Sequence, residues 1–141
     1  MSGGEGVRNP ADLEDLVANV RVILAIANSL ATLEETGAAL TTDGTEQNVY
    51  VNETPAGVFR PMCVKLDCTN HTAAETVVIR TYYRIAPAGA YVLQDTLTFV
   101  GAISPELLNI ELEPNRYGIR VTLQLTAGTN REYVWEVCYK I

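Results

Sequence analysis

The chain has 141 residues, 48% of them hydrophobic and 19% charged, with a net charge of −7. That is enough apolar material for one packed domain with an appendage, and too much for a disordered chain. The negative balance repels phosphate backbones, which disfavours nucleic-acid binding by a basic surface, and no nucleic-acid partner is expected.

Residues 1–9 are rich in glycine and are predicted as a flexible arm. They lack the basic region and apolar stretch of a secretion signal. Asn9 and Pro10 then make a helix start, because Asn caps free amides and Pro suits the first helical position. Asp12, Glu14 and Asp15 favour the positive end of the helix dipole. Apolar side chains follow at Leu13, Leu16, Val20, Ile23, Ala27 and Leu30, an alternation of three and four that matches a heptad seam. Val17, Leu24 and Ala31 widen the stripe on one flank, and Ile26 and Leu33 on the other. So broad a stripe suits three or more helices about an axis, or one helix buried between a sheet and its neighbours. Gly37 is predicted as the stop, giving a helix over 10–37 that is about 40 Å long. Arg21, Asn28 and Ser29 interrupt its most apolar window, which is too short and polar to span a bilayer. No membrane insertion is expected, and the chain is expected to be made soluble in the cytoplasm.

Residues 38–47 are polar and turn-rich and are predicted as a linker. From there the period is two. A short strand is predicted at 48–51. The run 58–68 alternates at Met62, Val64, Leu66 and Cys68, with Pro61 confining its start to an edge or a bulge. Over 76–85, Val77, Ile79, Thr81 and Tyr83 share one face, and Val78, Arg80, Tyr82 and Arg84 the other. A hairpin-like loop at 86–90 leads to a return strand at 91–100. Leu108, Ile110 and Leu112 are predicted inward over 107–112, with Asn109 and Glu111 outward. After a turn at 114–118, Ile119, Val121, Leu123 and Leu125 line one face. A tight turn at 127–130 precedes the run 131–141, with Tyr133, Trp135, Val137 and Tyr139 on one face. About seven strands with regular turn signals predict an antiparallel β-sandwich over 48–141, of jelly-roll or immunoglobulin-like type. The fold class is thus mainly β, with an N-terminal amphipathic helix.

Catalysis needs a nucleophile with a base, paired carboxylates in a pocket, or metal ligands. The lone histidine, His71, lies in a polar stretch predicted as a solvated loop. Glu111, Glu113 and Glu132 fall at strand ends, and Asp67 points outward beside Lys65. No glycine-rich phosphate loop joins a strand to a helix. The expectation is therefore no enzyme, no cofactor and no metal. Cys63 and Cys68 are five apart on one strand and are predicted to face opposite ways, as small hydrophobes in a reducing setting. The alternative is a Cys68–Cys138 bridge. Asn52 and Asn70 head glycosylation-type triplets that arise readily by chance. Two surfaces are candidates for a partner: the row Arg80, Tyr82 and Arg84, where aromatic and guanidinium groups suit a glycan or a protein, and the turns 115–118 and 127–131, which need not share an end. The plain reading of the row is a solvated face with cross-strand carboxylate pairs.

A flexible arm, the heptad run from Leu13 to Leu30, and strands from Thr76–Arg84 to Arg131–Val137 make an order of parts that resembles small virion structural proteins of tailed phages and archaeal viruses. These include capsid decoration proteins, head fibres and spike tips. The resemblance covers nearly the whole chain as architecture. It implies a non-enzymatic virion protein that forms a homo-oligomer, favouring a trimer, through Leu13, Leu16, Val20, Ile23, Ala27 and Leu30, and that binds other virion proteins. The alternative is a carbohydrate- or protein-binding module, such as a receptor-binding tip. The third is a small enzyme, which would need a deep pocket with carboxylates at a strand end.

Overall fold

A computed structural model describes residues 10–30, 33–54 and 60–140, with side chains over 12–24, 36–54 and 63–138. The chain divides into two compact units, one containing the helix and the other spanning Leu33–Lys140. The expected arm at 1–9 lies outside the described residues.

The helix α1 runs Pro10–Leu30, with Asp12 in its first turn and no basic residue in its last. Proline is tolerated there because the first turn has no intrahelical acceptor for its missing N–H. Twenty-one residues make a rod of about 32 Å, shorter than the expected span to residue 37. Among the described residues, no helix is long and apolar enough to cross a membrane.

Residues expected as the helix end and linker instead form a strand, β1 (Leu33–Thr41). It pairs antiparallel along its whole length with β8 (Glu132–Lys140), Leu33 opposite Lys140 and Thr41 opposite Glu132. A complete ladder to a distant strand outweighs the weak local helix preference of Leu33, Glu34 and Glu35. Gly37 is therefore a mid-strand residue and not a helix stop. A Cβ at this position would lie 2.6 Å from the Trp135 carbonyl oxygen, so glycine is what lets β1 approach β8 this closely.

The other strands are β2 (Gln47–Asn52), β3 (Arg60–Asp67), β4 (Thr76–Tyr83), β5 (Val92–Val100), β6 (Leu107–Glu111) and β7 (Ile119–Ala127). Among the described residues eight strands replace the expected seven or so, the added one being β1. They form two four-stranded sheets, ordered β1-β8-β3-β6 and β2-β7-β4-β5. Every pairing is antiparallel.

The inner faces follow the period of two. Val64, Leu66, Ile110, Tyr133 and Val137 are buried from the first sheet, and Val77, Ile79, Ile119, Val121, Leu123 and Leu125 from the second. A bulge between Asn48 and Tyr50 breaks the alternation in β2 and turns both Val49 and Tyr50 inward. Pro61 stands at a second bulge, at the start of β3, where a missing donor does least harm.

The turn after β7 depends on Gly128. Its φ is +95°, and a Cβ there would lie 2.7 Å from the Ala74 carbonyl oxygen and 2.8 Å from the Glu75 Cα. Gly128→Ala is expected to cost about 1–3 kcal/mol through strain and backbone displacement. Urea unfolding should show a lower midpoint with an unchanged slope; an unaltered midpoint would refute the packing described.

Candidate functional site

The helix offers the first candidate surface. Leu13, Leu16, Val20 and Ile23 of the predicted seam are exposed, from 46% at Val20 to 64% at Ile23. Val17 and Leu24, beside the seam, are exposed as well. Spacings of three and four bring these side chains onto adjacent rows of one rod. The side chains of Ala27 and Leu30, the remaining seam positions, lie outside the described residues. Exposed leucine, isoleucine and valine in such number form an apolar surface larger than isolated surface hydrophobes would make.

In the second candidate surface, Arg80 and Tyr82 lie on the outer face of β4 and Arg84 follows just beyond its end, and each has a partner within the chain. Glu46, just before β2, reaches over the sheet. Its Oε1 accepts from the Tyr82 hydroxyl at 2.6 Å and from the Thr122 hydroxyl at 2.6 Å. Its Oε2 lies 3.4 Å from Arg80 Nη1, which also donates to Gln124 Oε1 at 3.1 Å. Partial burial works against the charge on Glu46, but Thr122, Tyr82 and then Arg80 hold its pKa below the ordinary carboxylate value. Arg84 sits 3.6 Å from Glu53 and 4.3 Å from the centre of the Tyr91 ring. Arg120, the register partner of Tyr82 on β7, donates to Asn48 at 2.7 Å and lies 5.4 Å from the Tyr82 ring centre. Sequence spacing identified the row; the carboxylates that meet it come from either end of β2 and leave no trace in that spacing.

The connections split between the two ends of the sandwich. The turns 115–118 and 127–131 flank β7 and so stand at opposite ends. At the first end, the 84–91 and 112–118 connections meet. The Arg84 amide donates to the Gly118 carbonyl at 3.0 Å, and the Glu113 amide to the Tyr83 hydroxyl at 2.9 Å. A cleft of about 520 Å³ opens there, lined in part by Ile85, Leu93, Asn115 and Arg116. Another cleft, of about 560 Å³, lies over the outer face of the first sheet around Gly37, with Lys65 and Glu136 paired across it at 3.9 Å.

At the other end lie two buried polar residues that the sequence did not announce. His71, expected in a solvated loop, is only 7% exposed. Its Nδ1 lies 2.8 Å from the Tyr133 hydroxyl, 62 residues away, which is why a polar local context misled the expectation. Burial, then the nearby Cys68 and Glu75, pushes the Tyr133 hydroxyl up to about 12, so it stays protonated. Glu75 is 1% exposed. Thr72 donates to its Oε2 through both hydroxyl and amide, the latter at 2.5 Å. Arg131 donates to its Oε1 through Nε and Nη2, each at 3.2 Å. Glu75, Thr72, Arg131 and His71 Nδ1 are engaged in holding the loops, while His71 Nε2 is buried without a hydrogen-bond partner; no cleft described above is lined by these residues.

The cysteines are free. Cys68 is buried and Cys63 half-buried, consistent with opposite faces. Cys138 stands opposite Cys63 in the β8–β3 register and not opposite Cys68, which corrects the alternative pairing. Burial pushes the Cys68 thiol up to about 12, so it does not supply a thiolate nucleophile at neutral pH. Among the described residues, no group of three or more His, Cys, Asp or Glu is arranged to hold a metal ion.

The Thr72 hydrogen bonds, working against burial and aided by Arg131, draw the Glu75 pKa down from 4.5 to about 2. A carboxylate whose pKa falls on folding contributes stability above its unfolded value and loses it as the pH drops through its folded value. Glu75→Gln should therefore lower the urea midpoint at pH 7 and flatten the acid limb between about pH 4.5 and about 2. Superimposable pH profiles for the two proteins would contradict this. No protein-family model matches the sequence, and no curated protein matches it.

Proposed function

We propose that the chain is a non-enzymatic structural protein of a virus particle, a capsid decoration, fibre or spike subunit that associates with itself through α1. The observation that carries the reading is the strand order. Sheets ordered β1-β8-β3-β6 and β2-β7-β4-β5 match the double-sheet jelly roll, an eight-stranded pair of Greek keys used by many viral capsid domains. Fold alone does not fix a role. The apolar seam of α1 is an independent support, because Leu16, Val20 and Ile23 are exposed in the single chain and gain most by meeting copies of themselves. The breadth of the stripe favours a trimer over a two-stranded seam. In this reading the sandwich forms the outer surface, the subunit resides in the virion after synthesis in the host cytoplasm, and other virion proteins are its partners.

The second reading is a carbohydrate- or protein-binding module, such as a receptor-binding tip. Lectin domains share the jelly-roll order. The row Arg80, Tyr82 and Arg84 supports it only weakly, since Glu46 and Glu53 already meet its polar groups.

Burying one Leu or Ile is worth roughly 1.5–3 kcal/mol, so placing a charge at the centre of the seam weakens association by more than about tenfold. Ile23→Asp is expected to reduce the mass by light scattering from that of an oligomer to that of a single chain, with the β-sheet circular dichroism signal retained. A wild-type protein already of single-chain mass, or a variant that remains oligomeric, would overturn the proposal.

A further inference from the structure

We propose that the cleft between the 84–94 segment and the 113–117 turn is a binding site for the carboxyl-terminal end of an extended peptide whose last side chain is aliphatic. The inference does not depend on the assembly reading.

Four observations converge on that chemistry. First, Asn115 is only 6% exposed and lines the cleft, yet neither its Oδ1 nor its Nδ2 has a hydrogen-bond partner. Folded proteins keep few buried polar atoms unpaired, because each loses its water without replacement. A side-chain amide offers one acceptor and one donor group, the complement of a peptide N–H and C=O. Second, Ile85, Val92 and Leu93 are exposed at 81%, 54% and 50% and form an aliphatic wall beside that amide. Tyr83 and Tyr117 line the same cleft and could stack on a sugar ring, whereas the exposed wall itself matches an aliphatic side chain.

Third, Arg116 faces this cleft with its guanidinium carbon 5.4 Å from the Tyr117 ring centre. Glu113 lines the same cleft, yet among the described residues no carboxylate lies within ion-pair distance of Arg116, unlike Arg80, Arg84 and Arg131. An unpaired guanidinium suits a carboxylate bound through two parallel hydrogen bonds. Fourth, β5 starts at Val92 and is an edge strand of its sheet, with no strand paired to its outer side among the described residues, the arrangement to which an extended chain can add. Amide, aliphatic wall, guanidinium and strand edge thus offer complements to a peptide unit, a side chain, a terminal carboxylate and the preceding backbone.

The test uses the isotope-labelled full chain, titrated with acetyl-alanyl-leucine bearing a free carboxylate. Its amidated form and N-acetylneuraminic acid serve as comparisons. The free acid should shift amide resonances of 84–94 and 113–117 saturably at millimolar concentration. Amidating the probe, or substituting Arg116→Gln, should weaken binding about tenfold or more. Asn115→Leu should abolish the shifts and leave Tm unchanged or raised, because it removes an unpaired amide from a buried position. No shift with the free acid, or shifts outside the cleft, would overturn the proposal. So would a cleft that responds to the sugar and not to the peptide. Asn115→Leu with a lowered Tm and undiminished binding would mark the amide as part of the scaffold and would also refute it. Should that variant fail to fold, Arg116→Gln decides alone, since its side chain is exposed.

Discussion

A carboxylate with almost no access to water organises one end of the sandwich. Glu75 binds Thr72 in its own connection and Arg131 in the connection between β7 and β8. Its backbone carbonyl accepts from Gly101, at the start of the β5–β6 connection. The Arg131 carbonyl and amide in turn bind Thr42, which leads from β1 to β2. Each of these connections carries the chain from one sheet to the other, so one acid fixes the spacing of both layers at that end. Removing Arg131 would leave the buried Glu75 charge without its cation, which costs more than the pair itself contributes.

What the sequence made legible was what depends on neighbours along the chain. Val77, Ile79 and Thr81, or Ile119, Val121 and Leu123, announce an inner face because strand side chains alternate locally. What it hid depends on distant partners. β1 shows no clear alternation, and its ladder joins residues roughly a hundred positions apart, so local preference alone extended the helix through it. His71 sits in a polar string and is buried by Tyr133. The β4 row was visible as a face, while the acids that neutralise it were not. Asn115 was visible as a turn residue, and only the folded chain reveals an amide without a partner.

The surfaces differ in how complete they are. Over the second sheet, cations meet acids or amides, so this face presents little unmet charge despite four arginines at or beside it, Arg80, Arg84, Arg116 and Arg120, with Arg116 the exception. Apolar groups are left unmet on α1 and along the wall formed by Ile85, Val92 and Leu93. Water covers a charged face at little cost, but apolar area gains free energy whenever it is removed from water. Among the described residues, α1 and this wall are therefore two surfaces that gain from being covered.

The place of β8 has a consequence for how the molecule is made. It is the last strand in chain order, yet it lies inside its sheet, between β1 and β3. A ribosome delivers residues in sequence, and α1 leaves the exit tunnel long before residue 140 does. Until then β1 has no neighbour to pair with and β3 has a bare flank. In the assembly proposed above, the rod would therefore be free to meet nascent sister copies while the sandwich still lacks β8.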